Sequence, residues 1–165
     1  MKQEIKWEHN DGGRELAGFK GKAGDCVTRA ISITTGLSYK KVYDDLTDWA
    51  KHHKVNKNDF VAKRMRKAKS GSLHSSSVRN GVHRVVYRKY LKSLGFKWTP
   101  TMFIGSGCKV HLKADELPSG KIICKLSRHL VAVVDGVIQD TYDCSRDGTR
   151  CVYGYWRKEC VEEEQ

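Results

Sequence analysis

Three residues have the side-chain chemistry of a cysteine nucleophile with its base. Cys26 follows a glycine and an aspartate, in the stretch AGDCVTRAIS, and opens a run with helical spacing. A thiol in the first turn of a helix lies at the positive end of the helix dipole, which lowers its pKa and favours the nucleophilic thiolate. His129 and Asp140 supply an imidazole and a carboxylate, the groups that take up and stabilise the proton of such a thiol. These residue types predict nucleophilic catalysis.

A predicted β-hairpin places His129 and Asp140 on one face of a sheet. The apolar runs HLVAVV and VIQDTY are joined by Asp135-Gly136, a dipeptide favoured in two-residue type I′ turns. Such a turn fixes the register, so the two residues become diagonal neighbours on one side of the pleat. We expect Asp140 to accept a hydrogen bond from one imidazole nitrogen and to leave the other for Cys26.

Helices precede this hairpin in the sequence. Asp25 is predicted to cap the first, which ends at Gly36, and Ser38 to cap the second, while Gly95 ends a third. Residues at helical spacing predict the buried faces: Val27, Ala30, Ile31 and Thr34 in the first helix, Val42, Leu46, Trp49 and Ala50 in the second, and Tyr87, Tyr90, Leu91 and Leu94 in the third.

The pattern after the third helix changes to short strands. KWTPTMFI, GKIICKLS, HLVAVVDGVIQDTYD and RCVYGYW are rich in β-branched and aromatic residues and are separated by turn residues. Because helices come first and do not alternate with strands, the sequence predicts an α+β protein, with N-terminal helices packed on a C-terminal antiparallel sheet. The 165 residues fit one domain, residues 1–165, with a basic, partly flexible insertion around 54–80.

The net charge of +12 is concentrated in the middle of the chain. Between Lys51 and Lys92 there are thirteen lysines and arginines and one acid, Asp59. This density predicts contact with an anionic partner, a nucleic acid or an acidic protein, although a solvated helix face is the simpler alternative. The candidate contact residues in this segment are Lys63, Arg64, Arg66, Lys67, Lys69, Arg84 and Arg88.

The cysteine pattern and hydropathy limit the cofactors and the location. Six cysteines without a C-x-x-C pair are expected to be free thiols in a reducing compartment. A zinc site is the less favoured alternative, because its conceivable ligands match no common spacing: Cys108, His111, Cys144 and Cys151. We therefore predict no metal and no organic cofactor. No apolar run approaches the roughly 18 residues of a membrane span, so we expect a cytoplasmic protein without membrane association.

The order of these elements resembles a known superfamily. With Cys26 opening a core helix (GDCVTRA), His129 beginning a later strand (RHLVAVV) and Asp140 on the next strand (VIQD), the sequence resembles the papain-like cysteine peptidases. NDGGR, GDCVTRAIS, SRHLVAVVDGVIQDTYD and RCVYGYW look more closely like uncharacterised phage and bacterial proteins of that superfamily. The resemblance implies a papain-like fold, with Cys26 as nucleophile, His129 as acid and base, and Asp140 as its orienter. For a phage protein it implies the host cytoplasm.

The sequence departs from the family at the oxyanion hole. The C-G-[SA]-C-[WY] signature of papain is absent. Family members usually have a glutamine about six residues before the cysteine, and Lys20 occupies that position here. Besides the backbone N–H of Cys26, the candidate oxyanion donors are Asn10 and Lys20, and loss of one donor costs ~10² to 10³ in rate.

Two functions follow from these observations. The first is a cysteine hydrolase that cleaves an amide, isopeptide or related acyl bond of a protein or peptide through a thioester. The second is a basic protein that binds nucleic acid or a host factor on a catalytically idle papain-like scaffold. For Cys26 taken alone, a buried structural thiol is the commoner role.

Overall fold

The structure, a computed structural model, describes residues 6–21, 24–52, 78–79 and 81–159. It contains three helices, α1 (Cys26–Thr35), α2 (Tyr39–His52) and α3 (Arg84–Ser93). Its six strands are β1 (Trp7–His9), β2 (Phe96–Pro100), β3 (Lys121–Leu126), β4 (His129–Val134), β5 (Val137–Asp140) and β6 (Gly154–Lys158), with one 3₁₀ turn at Ala114–Glu116. The protein is α+β, as predicted. Most of the predicted basic insertion around 54–80 lies outside the described residues.

The strands form one mixed sheet in the order β1-β5-β4-β3-β6-β2. Strands β2 to β6 pair antiparallel, whereas β1 pairs parallel with β5, with His9 opposite Asp140. The prediction of an antiparallel sheet is therefore wrong at this edge. The reason is that β1 has three residues, all exposed, and so carries no apolar alternation that would mark it as a strand.

The hairpin between β4 and β5 is confirmed. Asp135 and Gly136 both have positive φ, 47° and 78°, as a type I′ turn requires. Val134 pairs with Val137 across this turn. The turn thereby sets the register of the two strands that carry His129 and Asp140.

Helix α1 begins at Cys26, and all four residues of its predicted apolar stripe are buried. It ends as predicted at Gly36, which has φ 75° and donates its N–H to the Ser32 carbonyl. The Asp25 side chain makes no hydrogen bond to the helix N-terminus, so its predicted capping role is wrong. Its carboxylate is instead held by ion pairs with Arg14 and Arg29.

Helix α2 begins as predicted, but its last turn is not buried. The Ser38 hydroxyl accepts a backbone N–H from the first turn at 3.2 Å. Val42 and Leu46 are buried, whereas Trp49 and Ala50 are exposed, contrary to the prediction. The helix extends beyond the core, so helical spacing alone overestimates its buried length.

Helix α3 packs three of its four predicted core residues, Tyr87, Tyr90 and Leu91, into the interior. Tyr90 contacts Trp49 of α2 edge to face at 5.8 Å between ring centroids. Its hydroxyl donates to Asp45 at 2.7 Å. These contacts join α3 to α2, and α2 in turn packs on α1.

The core lies on both faces of the sheet. Alternate residues of β3 and β4 point to opposite sides, as the pleat requires. Ile123 and Ala132 join the helices in one apolar cluster, whereas Cys124 and Val133 join residues of the later loops in a second. Burial on both faces explains why apolar residues follow one another without alternation in β4 (HLVAVV) and at Ile122 to Cys124 of β3.

Two of the predicted free cysteines are paired. Cys108 and Cys151 form a disulfide, whereas Cys26, Cys124 and Cys144 are free. The bridge between His111 and Cys151 brings the two loops together, with the paired Cα atoms 5.8 Å apart. Among residues 6–159, outside the gaps, no helix combines the length and the apolar character that crossing a membrane requires.

Candidate active site

Cys26, His129 and Asp140 come together where α1 packs on the sheet. Cys26 is the first residue of α1, His129 is the first of β4 and Asp140 is the last of β5. His129 Nε2 lies 2.6 Å from Asp140 Oδ2, and both side chains are buried. The partly buried Cys26 thiol and the His129 imidazole line the same cleft, close enough for the imidazole to lower the pKa of the thiol. The geometry is that of a Cys–His–Asp chain.

The environment favours the ionised form of Cys26. Burial opposes ionisation of the thiol, but a hydrogen bond from His129 and the positive charge of that imidazole outweigh it. The backbone N–H of Leu130 and the charge of Arg29 act in the same direction. The net result is a pKa of Cys26 below its ordinary value, as a nucleophilic thiolate requires.

The pKa of the His129 imidazole is shifted in the opposite direction, upward. Burial disfavours its cationic form, but hydrogen bonds to Asp140, Cys144 and Cys26 raise the pKa of His129 well above its ordinary value. For Asp140, burial is likewise outweighed by His129 and Arg29, which hold the pKa of this carboxyl below its usual range. Both shifts act in the same sense, because each favours a thiolate beside an imidazolium over the neutral pair.

A buried ionic network fixes the carboxylate of Asp140. The Oδ1 atom lies 3.3 Å from Arg29 Nη2 and accepts the N–H of Thr141 at 2.7 Å. The other guanidinium nitrogen of Arg29, Nη1, lies 2.9 Å from Asp25 Oδ1. Asp25 also accepts the hydroxyl of Tyr39 at 2.5 Å. One oxygen of Asp140 is thus left for His129.

Cys144 is a second thiol near the histidine. It is buried, and its sulfur lies within 4.8 Å of ligand-type atoms of His129 and Asp140. Burial, supported by the charge of Asp140, raises the pKa of Cys144 despite the opposing effect of His129. These three residues are metal-ligand types, but the 2.6 Å between His129 and Asp140 is a direct hydrogen bond, so the two groups bind each other.

A cleft of about 820 Å³ opens above Cys26 and His129. Tyr87 of α3 lines one side and Tyr142 another. The ring of Tyr142 packs against His129, with centroids 5.6 Å apart. The partly exposed Cys26 therefore faces an open cleft.

The structure does not bring the two candidate oxyanion side chains to this cleft. The Asn10 amide donates to Gln139 at 3.1 Å, and Asn10 lines a different depression. Lys20 lines a third depression, and its carbonyl accepts from Arg79. The remaining candidate donor is the backbone N–H of Cys26, which has no partner within the helix because it lies in the first turn.

The structure describes only two of the seven candidate anion-binding residues. Arg84 and Arg88 lie exposed on α3, and Arg84 lines the cleft above Cys26. The remaining candidates lie outside the described residues: Lys63, Arg64, Arg66, Lys67 and Lys69.

Several site residues were not predicted from sequence. Arg29 stands four residues after Asp25, a spacing that places two charges on one helix face, and that signal was available. Cys144 was considered only as a zinc ligand. Its contact with His129 depends on the path of the chain after β5, for which the sequence gives no local signal.

No protein-family model, no curated protein and no solved structure matches the chain.

Proposed function

We propose that the protein is a cysteine hydrolase that cleaves an amide, isopeptide or related acyl bond of a protein or peptide. The observation that carries the proposal is that the buried His129–Asp140 pair, hydrogen-bonded at 2.6 Å, lines an open cleft together with Cys26, whose thiol pKa the imidazole lowers. A structural cysteine has no need of a buried imidazole, a buried carboxylate and an open approach at the same point.

In the proposed reaction, the thiolate of Cys26 attacks the acyl carbon and forms a C–S bond. The negative charge that develops on the acyl oxygen is stabilised by the backbone N–H of Cys26. The imidazolium of His129 gives its proton to the departing nitrogen as the C–N bond breaks, which leaves a thioester. His129 then takes a proton from water, the water oxygen attacks the thioester, and the acid and the thiol are released.

We also propose that the fold is papain-like. A helix that begins with the nucleophile packs on a sheet, the histidine begins one strand of that sheet, and the carboxylate ends the neighbouring strand. This arrangement supports the proposal because it matches the chain order of the papain-like nucleophile, base and orienter.

Turnover of an activated ester, together with cleavage of a mixed peptide library, tests the proposal. We expect multiple turnovers, new peptide termini and an acyl adduct on Cys26 detected by mass spectrometry. Cys26→Ala should abolish all three, whereas Cys124→Ser, which changes a free thiol remote from the cleft, should retain them if the variant folds. Turnover that survives Cys26→Ala contradicts the proposal.

A second candidate function is binding of a nucleic acid or acidic protein on an idle scaffold. The supporting observation is the row of exposed cations on α3: Arg84, Arg88, Lys89 and Lys92. A steep salt dependence of affinity for a nucleic acid that is unchanged in Cys26→Ala, with no hydrolysis by the wild type, would favour this function.

A further inference from the structure

The cleft above Cys26 is lined by cations from separate elements. Lys125 comes from β3, Arg128 from the turn before β4 and Arg84 from α3, and no described residue that lines the cleft is acidic. Arg29 also lines it, but its charge is paired with Asp25 and Asp140. Lys125 and Arg128 therefore give the cleft wall positive charge that no acidic residue lining it balances.

Lys125 is the cation that β3 contributes to the cleft wall. It is partly buried, and its Nζ donates to the Leu126 carbonyl at 2.8 Å. Burial lowers the pKa of Lys125, and the nearby charges of Arg88 and Arg84 lower it further, whereas the charge of Cys26 raises it. The ammonium group thus lies in the field of the thiolate among other cations, where an additional anion would be stabilised.

Arg128 immediately precedes His129 in the chain, so its backbone lies beside the residue that carries the imidazole. Its backbone has φ 54°, an uncommon conformation for a residue with a side chain. Among the residues that the structure describes, the Arg128 guanidinium forms neither an ion pair nor a hydrogen bond. An exposed arginine at a cleft rim is suited to bind a carboxylate with two parallel N–H donors.

We propose that the cleft selects acidic peptide segments, with a carboxylate side chain next to the acyl carbon that Cys26 attacks and contacted by Lys125 and Arg128. This inference rests on the proposed hydrolase function and adds the substrate class. An acidic peptide fits better than a nucleic acid, because a peptide supplies both the anion and the acyl carbon that a thiolate requires.

The test compares alkylation of Cys26 by two reagents that differ by one charge, iodoacetate and iodoacetamide. In both reactions the thiolate forms a C–S bond as iodide leaves with the electron pair. The rate constant for iodoacetate divided by that for iodoacetamide therefore reports how strongly the cleft attracts the carboxylate. We expect the ratio in Lys125→Gln/Arg128→Gln to be about tenfold below the wild-type ratio. The control is Arg146→Gln, because Arg146 is also exposed with φ 51° but does not line the cleft.

Equal ratios in the wild type and the double variant overturn the inference. If the double variant does not fold, the wild type alone decides: the ratio should fall as salt is raised from about 0.02 to 0.5 M, and a salt-independent ratio overturns the inference. This readout requires no turnover, so it is independent of the hydrolase proposal.

Peptides then identify the source of the anion. Matched peptides with Glu or Gln at each position should show faster cleavage with Glu, and this preference should be lost in the double variant. Equal cleavage of both peptides, abolished by Cys26→Ala, overturns this inference while the hydrolase proposal stands. Protection of Cys26 from iodoacetamide by an oligonucleotide but not by acidic peptides overturns the inference in favour of a nucleic acid.

Discussion

Arg29 and His129 bind opposite oxygens of the same carboxylate. Arg29 Nη2 lies 3.3 Å from Asp140 Oδ1, and His129 Nε2 lies 2.6 Å from Oδ2. Arg29 stands on the same helix as Cys26, so one helix carries both the proposed nucleophile and the residue that holds the Asp140 carboxylate in place.

The ionisation of Cys26 should be visible in its alkylation by iodoacetamide. We expect the rate at Cys26 to rise with a midpoint below about 8.5, the ordinary thiol value, because His129 and Arg29 stabilise the thiolate. His129→Ala should move the midpoint upward. Cys124, a buried thiol whose pKa is raised by burial, is the internal control and should stay unreactive. A Cys26 midpoint unchanged in His129→Ala would contradict the ion pair.

The carboxylate of Asp140 should matter for rate more than for folding. Asp140→Asn keeps the size of the side chain but removes the charge that stabilises the imidazolium, so we expect activity to fall about 10² to 10⁴-fold. The measurement is turnover of the activated ester, with circular dichroism to verify folding. Asp147→Asn, an exposed change at φ 55°, is the control. Equal activity of the two variants would show that Asp140 has no catalytic role.

Two ion pairs with the same helical spacing should differ in their contribution to stability. The Arg29–Asp25 pair is nearly buried, with 12% and 1% of the side chains exposed, whereas the Lys40–Asp44 pair is 65% and 56% exposed. Arg29→Gln should cost about 3 to 5 kcal/mol, because it leaves Asp25 and Asp140 without this partner. Lys40→Gln should cost less than about 0.5 kcal/mol. Urea unfolding measures both, and similar costs would argue against the network.

Stability should decrease at alkaline pH because of His129. A raised pKa in the folded state contributes stability that is complete below the unfolded value of about 6.5 and is lost as pH rises toward the folded value. The lowered pKa of Cys26 has the opposite effect, because it raises the free energy of unfolding as pH rises. This increase ends at about pH 8.5, the ordinary thiol value. From about pH 8.5 to 10 only the contribution of His129 therefore still changes, and it lowers the free energy of unfolding by up to ~1.4 kcal/mol per pH unit.

The measurement is the free energy of unfolding against pH for the wild type and His129→Gln. We expect a shallower alkaline slope in the variant. Parallel curves for the two proteins would mean that His129 carries no extra proton in the folded state.

A glycine in β6 is required by close packing. A Cβ on Gly154 would lie 2.4 Å from the indole of Trp98, so Gly154→Ala should lower the free energy of unfolding by about 1 to 3 kcal/mol. Replacing Trp98 by Leu should cost less stability in the Gly154→Ala background than in the wild type. Additive costs in this double-mutant cycle would contradict the predicted clash.

The sequence was informative where local chemistry decides the structure. The Asp135-Gly136 turn sets a register, and from that register the pairing of His129 with Asp140 could be predicted. The position of Cys26 followed from the start of a helix. In contrast, the parallel pairing of β1, the contact of Cys144 with His129 and the disulfide between Cys108 and Cys151 join distant segments. No local spacing encodes these contacts, so they depend on the completed fold.

The parallel edge strand has a consequence for the order in which the site is assembled. The backbone N–H of Asn10 donates to the carbonyl of Asp140, and Gln139 donates to Glu8 across 131 residues of chain. Closing so long a loop is entropically costly and is a late event in folding. During synthesis on the ribosome, the strand that ends in Asp140 can gain this neighbour only after most of the chain has been translated. A nascent chain that already displays Cys26 is therefore expected to gain the backbone contact between Asn10 and Asp140 only once β1 has paired with β5.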